Sequence, residues 1–406
     1  MRANAHLVRR TTYAAALAIL ATGIASAPAL AASTGPATLS PNDGGGFDAF
    51  GFSTALSGNG NVAIAGSPGQ AGTGAAYIFT KSGTAFTQSA ELTATGGMSG
   101  DQLGTSVAIS SDGKTAVSGA PAASSDDGAA YVFSDASGTW SQVAKLTGAG
   151  ATEFGTSVAI SADASTIVVT APFTNSDNGA AYVFTKSGST YKEVQKLTTK
   201  GSGGLFGFSA SVSSNGTTIA LGAPEANSGA GVADVFTKSG TAWSQSAQLT
   251  VADLGGSANF GLSVAVSGSG TTLAAGAPGT GTFQGGAFVF TESGGTWTQA
   301  SQLLPPAPIG DSLDMTGLSI SMSSDGSVIG IGAGGFDHSA GAVFVATKTN
   351  GTWAITATDT EPSPVSDDEL GATNGSTGVA GNGSAIVSGA PDRDGEAGGA
   401  FVFPVG

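Results

Sequence analysis

The chain has no cysteine and only two histidines, His6 and His338, in 406 residues. The first absence excludes disulfides, thiolate metal sites, iron–sulfur clusters and cysteine nucleophiles. The second leaves too little imidazole for a two-histidine metal site, because His6 falls in a segment read below as removed. Charge is scarce as well, at 10% of residues against a typical share of about 25%. Basic residues are scarcest: 13 Lys and Arg stand against 28 Asp and Glu, a net charge of -15. That balance argues against nucleic acid, whose binding draws on Lys and Arg. Glycine is what the chain has in excess, with 66 residues and about twice the usual share. Hydrophobic residues still make up 40%, enough to build a core. Many short strands and tight turns suit this composition. Helical bundles do not, since Gly costs about 1 kcal/mol per helix position.

Residues 1–31 read as an export signal. Arg2, Arg9 and Arg10 give a positive start, Ala14 to Ala25 an apolar run, and Ala29-Leu30-Ala31 a small-x-small cleavage site. The run falls short of the roughly 20 residues that a membrane anchor needs. Arg9-Arg10 also fits a twin-arginine signal, although Thr12 and Tyr13 match that pattern weakly. The mature chain is then residues 32–406, a single domain with no membrane span.

Internal repetition dominates that domain. One unit runs Leu103-Gly104-Thr105-Ser106-Val107-Ala108-Ile109-Ser110, Asp112-Gly113, Val117-Ser118-Gly119-Ala120-Pro121 and Gly128-Ala129-Ala130-Tyr131-Val132-Phe133. The opening glycine recurs at Gly51, Gly104, Gly155, Gly207, Gly261 and Gly317. A second landmark follows 15 residues later, at Gly66, Gly119, Thr170, Gly222, Gly276 and Gly332. For the seventh unit, with Gly389 as second landmark, that spacing falls on Thr373-Asn374.

Each unit holds four segments of strand length. Asp112-Gly113, Asn215-Gly216 and Asp325-Gly326 supply the positive φ of a tight turn between strands 1 and 2. Four-stranded units repeated radially predict an all-β fold, a seven-bladed β-propeller of antiparallel blades. Small residues in strands 1 and 2 suit a crowded axis. The aromatics of strands 3 and 4, such as Phe79, Tyr131, Phe184, Trp140, Trp243 and Trp353, fill the wider outer gaps. The seventh unit stops after its third strand, Phe401-Val402-Phe403, whereas Ala37-Thr38-Leu39-Ser40 resembles the fourth strand Lys145-Leu146-Thr147. The amino-terminal strand 37–40 is therefore expected to complete blade 7 and lock the ring, which removes exposed sheet edges.

Phe-Gly at 50–51, 154–155, 206–207 and 260–261, with Gly-Ala-Pro at 119–121, 222–224, 276–278 and 389–391, resembles the FG-GAP repeat. This is the repeat of the integrin α-subunit propeller and of many secreted bacterial proteins. The resemblance implies a propeller fold and, for many members, Ca²⁺ held between strands 1 and 2 by a D-x-D/N-x-D-G-x-x-D pattern. Ca²⁺ takes six to eight oxygens. The matching turns here read Ser110-Ser111-Asp112-Gly113, Ser161-Ala162-Asp163-Ala164, Ser213-Ser214-Asn215-Gly216 and Ser267-Gly268-Ser269-Gly270, with at most one carboxylate each. The family's metal sites are therefore not carried over. No cofactor is expected beyond weakly held Ca²⁺.

In such a blade the 1–2 and 3–4 turns share one face of the disc, and the 2–3 and 4–1 loops share the other. The 2–3 loops hold Asp126, Asp127, Asp177, Glu225, Asp337, Asp392, Asp394 and Glu396. The 4–1 loops and the amino-terminal lead-in add Asp43, Asp48, Asp101, Glu153, Asp253, Asp311, Asp314, Glu361, Asp367, Asp368 and Glu369. Against these 19 acids stand only Lys200 and Arg393, while the rest of the mature chain balances nine acids with eight lysines. Nearly all the net charge is thus assigned to one face. The candidate binding residues are the 2–3 loop acids together with His338, which stands beside Asp337. The weak metal candidate is Asp392, Asp394 and Glu396, with Arg393 placed to make a salt bridge instead.

No G-x-S-x-G elbow and no P-loop occur. Gly330-x-Gly332-x-x-Gly335 matches a dinucleotide fingerprint, but such a match is expected by chance among so many glycines. The resulting expectation is a secreted, periplasmic or cell-surface binding scaffold without catalysis. It would recognise an extracellular or envelope protein or glycan, cationic partners included, through its acidic loops. The competing readings are a structural envelope protein without a discrete ligand and a propeller hydrolase or lyase.

Overall fold

The computed structural model describes residues 35–201, 203–305 and 313–406. The export signal expected over residues 1–31 lies outside them, as does Asp311. Twenty-eight strands form seven four-stranded sheets, each an antiparallel meander. Blade 1 is β2 (Ser53–Leu56), β3 (Val62–Ser67), β4 (Ala75–Ser82) and β5 (Ala85–Leu92). Blades 2 to 6 follow over residues 106–146, 158–197, 209–249, 264–303 and 319–359. Blade 7 takes β26 (Thr377–Val379), β27 (Ala385–Ala390) and β28 (Gly399–Pro404) from the carboxyl end and β1 (Ala37–Leu39) from the amino end.

The register of that closing strand is Ala37 to Val402, Thr38 to Phe401 and Leu39 to Ala400. It ends one residue before the expected 37–40. Just beyond it, the Asn42 amide donates to Gln88 Oε1 on β5 at 2.7 Å, so the segment 37–42 touches blades 7 and 1 together. The same clasp joins other outer strands, with Thr95 donating to Gln142 and Lys200 to Gln245.

The core lies between blades. Seven apolar clusters correspond to seven interfaces. Ile64 and Ile78 of blade 1 meet Val107, Tyr131 and Phe133 of blade 2. Leu39, Val387 and Val402 of blade 7 meet Tyr77 and Phe79 of blade 1, which closes the ring. Phe50, Phe154, Phe206 and Phe260 are fully buried, edge-on or tilted against strand-3 aromatics such as Tyr77, Tyr182, Phe236 and Phe290. The outer aromatics pack rather than stand free. Lys81, Lys186, Lys238 and Lys348 lie 5.8 to 5.9 Å above Phe86, Tyr191, Trp243 and Trp353. Blades 1 to 6 each carry a bulge between strands 3 and 4. Such a bulge twists an outer edge away from further pairing.

The recurring glycines have a packing cause. Gly104 has φ +96°, and a Cβ there would stand 2.2 Å from the Ala75 carbonyl and 3.1 Å from Gly66 Cα. The opening glycine of each blade thus lies against the second landmark of the blade before it. Ser53 Oγ donates to the Gly104 carbonyl at 2.8 Å across the same interface, and Ser106 does so to Gly155.

The seventh unit departs from the expected spacing. Its opening pair is Leu370-Gly371, with Gly341 bridged to Leu370 and the Gly371 amide donating to Gly389 at 2.9 Å. Thr373-Asn374 is therefore not the opening pair. It belongs to three extra residues that loop inward over the axis.

Candidate functional site

The 2–3 and 4–1 loops meet on one face, as the meander requires. In blades 2, 3, 4, 6 and 7 the 2–3 loop contains three successive residues of positive φ, a single left-handed turn. In blade 2 these are Ser124, Ser125 and Asp126, with φ of 58°, 61° and 72°. A bond from Gly128 N to the Ala123 carbonyl, 2.8 Å, closes the loop. Asn and Asp tolerate this region better than most residues, which is one reason for the acids here. It is not a reason for charge, since Asn175 and Asn227 serve equally well in blades 3 and 4.

The turn carbonyls hold the next blade's lead-in. Glu153 N donates to Asp126 O at 2.7 Å, Leu205 N to Asp177 O at 2.9 Å and Ala49 N to Glu396 O at 2.8 Å. Their side chains point elsewhere: Asp126, Asp127, Asp177, Glu225, Asp337, Asp394 and Glu396 are exposed and Asp392 is half-buried. These residues belong to five blades and form a rim, not a pocket. Two pairs of sequence neighbours meet. His338 Nδ1 is 3.2 Å from Asp337 Oδ1, and Arg393 Nε is 3.5 Å from Asp394 Oδ2. The Ser366 hydroxyl donates to the His338 carbonyl at 2.8 Å. Among the described residues no three His, Asp or Glu side chains converge as a metal would need.

Several lead-in acids are not on the surface at all. Asp48, Asp101, Asp314, Glu361 and Asp368 are buried. Asp101 Oδ2 accepts the Met98 amide and Asp368 Oδ2 the Val365 amide, both at 2.8 Å, and Asp48 likewise accepts from Gly45. These carboxylates tie their own loops. The repeated pattern Asp48-Ala49-Phe50-Gly51, Asp101-Gln102-Leu103-Gly104 and Asp368-Glu369-Leu370-Gly371 carries the signal for that role and for the true seventh pair.

Glu361 is strongly perturbed. Burial and the neighbouring Asp368 carboxyl push it up to about 8, against the opposing pull of Arg393. Arg393 Nη1 reaches Glu361 Oε2 at 2.9 Å and its guanidinium stacks 5.1 Å from the Phe401 ring. Another buried acid, Asp234, stands where every other blade carries Tyr or Phe in strand 3. Burial raises it, although Gln245 and Gln248 donate to its Oδ1 at 2.7 and 2.8 Å.

The 1–2 turns on the opposite face do not fit Ca²⁺. Asp112 Oδ1 accepts Ser110 Oγ at 2.6 Å and Lys114 N at 3.0 Å. Asp325 Oδ1 accepts Ser323 Oγ at 2.6 Å and Ser327 N at 2.9 Å. The single carboxylate of the blade 2, 3 and 6 turns is thus committed to the turn itself, and the other turns carry Asn or Ser there. Burial alone would raise Asp163 and Asp325, but these hydrogen bonds outweigh it and hold both below the usual value.

Between the faces runs a central channel of about 250 Å³ lined by strand 1 residues, including Ala108, Ile160, Ser211, Val266 and Ser321. Asn374, from the extra residues of blade 7, crosses its mouth and donates from Nδ2 to the Phe208 carbonyl of blade 4 at 3.0 Å. The far mouth is narrowed by backbone bonds between blades, such as Gly58 to Ser111 at 2.9 Å and Ser324 to Gly381 at 2.8 Å.

A closed ring of seven antiparallel blades, with glycine landmarks locking neighbour to neighbour, defines a β-propeller of the repeat-built kind. The FG-GAP repeat model matches residues 34–79, 86–133, 140–184 and 243–290, and these four matches within seven blades fit an FG-GAP repeat propeller. Each match begins with the outer strand of one blade and continues with three strands of the next. No curated protein matches the chain. Among solved structures, hydrazine synthase of Kuenenia stuttgartiensis is similar at 12% identity, with a TM-score of 0.58 over 86% of this chain and 94% of that one. At that identity the likeness is one of fold alone. Among the described residues no helix is long and apolar enough to cross a membrane.

Proposed function

We propose that the chain is an exported, non-catalytic binding scaffold that recognises a cationic protein or glycan partner outside the cell or in its envelope. The observation that carries this reading is the one-sided charge. Among the described residues of the loop face ten acids are exposed and three more are half-exposed, against one exposed base, Lys200, and the half-buried Arg393. Like charges spread over a rim make a field that steers and retains cations. Variable loops on a rigid ring are where recognition commonly resides. Neither a cofactor nor a catalytic group enters this reading.

The test is calorimetric titration of the mature protein with Ca²⁺ and, separately, with a short lysine–serine peptide, at low and at physiological salt. The expected result is peptide binding that weakens with salt and no saturable Ca²⁺ heat. Stoichiometric Ca²⁺ binding that survives added salt would replace this reading with metal-dependent adhesion. No peptide binding at low salt would end it.

A further inference from the structure

We infer that blade 1 carries a docking strip for a protein segment in which apolar side chains alternate with Lys or Arg. The inference rests on the acidic-face reading above and deepens it.

Six large apolar side chains are exposed among the described residues. Val143 and Val194 have a local cause, since each is the extra residue of an outer-strand bulge. The other four, Phe47, Met98, Leu304 and Val365, all lie on lead-in loops of the acidic face. Phe47 and Met98 are the most informative pair, 75% and 60% exposed. They flank one turn, residues 70–72. Gly69 N donates to Asp48 O at 3.1 Å on one side of it, and Gly100 N donates to Gly72 O at 2.7 Å on the other. That turn is one residue shorter than its counterparts and bears no charge, and its Ala71 and Gly72 are exposed. An uncharged strip of Phe47, Ala71, Gly72 and Met98 therefore interrupts the acidic rim.

Acidic turns stand on either side. The Asp394–Glu396 turn of blade 7 is bonded to the Phe47 loop through Ala49, and the turn of Asp126 and Asp127 is next in ring order. Folding does not account for Phe47. It is an aromatic held at φ +69° and turned to solvent, a backbone region that bulky residues avoid. Aromatic and Met side chains at the centre of a patch, with charge at its margin, are the anatomy of a protein interface, and Met adapts to varied apolar partners. Charge complementarity selects the occupant: apolar side chains for the strip, with Lys or Arg facing the acids beside it.

The experiment compares two peptides of equal length and charge, one alternating Lys with Ser and one alternating Lys with Phe. Binding is read by fluorescence anisotropy against the full mature chain, its Phe47→Ser/Met98→Ser variant and its Asp394→Asn/Glu396→Gln variant. Both apolar side chains are exposed, so their replacement leaves the ring folded, which circular dichroism checks. The Phe peptide is expected to bind about tenfold more tightly than the Ser peptide. The Phe47→Ser/Met98→Ser variant is expected to abolish that preference while still binding the Ser peptide. The acid variant is expected to weaken both. Equal affinity for the two peptides, or a preference that survives loss of Phe47 and Met98, overturns the docking strip and leaves the acidic-face reading intact. Failure of both peptides at low salt overturns both.

Discussion

At the scale of single residues, the glycine landmarks and the buried acids decide the most. Gly104 and Gly83 both adopt positive φ, +96° and +63°, but only Gly104 has backbone within 3 Å of where a Cβ would stand. Gly83→Ala is expected to cost about 1 kcal/mol, the price of the left-handed backbone alone. Gly104→Ala adds a clash with the Ala75 carbonyl and is expected to cost about 3 kcal/mol or more. Urea unfolding of the two variants checks this, and equal losses would mean that the blades can part to admit a methyl group. Glu361 makes a pH prediction. Its folded value, about 8, lies above the ordinary 4.5 because burial and Asp368 favour the neutral acid. Its contribution to stability is therefore complete below pH 4.5 and is lost as the pH rises through about 8. Glu361→Gln stays neutral throughout, so its melting temperature should fall less than that of the parent between pH 6 and 9. Parallel melting curves across that range would remove Glu361 as the source.

At the scale of elements, most of the molecule was legible because its turns and strands repeat. The Asn/Asp-Gly turns, the four-strand units and the packing role of the outer aromatics all follow from residues whose conformational demands are local. What was not legible depends on depth. Loop membership placed Asp48, Asp101 and Asp368 on the charged face correctly, yet each turns inward to bind an amide three residues earlier in its own loop. Charge counting cannot see that inversion. The three extra residues before β26 were likewise hidden, because counting by the common spacing lands on Asn374 rather than Gly371. The Asp368-to-Gly371 pattern marks the right residue, and its close approach to Gly332 of blade 6 shows that it fills the landmark. The exposed strip beside the 70–72 turn had no sequence signal of its own, since Phe and Met are residue types that a core would also take.

At the scale of the whole molecule, closure is the governing fact. β1 adds Leu39, 1% exposed, to the cluster formed by Phe50, Tyr77, Phe79, Val387 and Val402. Leu39→Ala is expected to cost about 2–5 kcal/mol. Removal of residues 35–43 should lower the melting temperature further, because β28 loses its partner and blade 1 its neighbour. An unchanged melting temperature in the truncated chain would show that six complete blades and a partial seventh suffice. The offset between sequence repeat and blade also sets an order in time. Neighbouring blades can stack as the chain lengthens, but β1 finds its partner only once β28 exists, the longest reach in the chain. Until then both flanks of the growing stack are apolar and unpartnered, the condition in which chains associate wrongly. The ring is thus the last thing the molecule makes, and a chain still lacking its final strand remains an open ribbon.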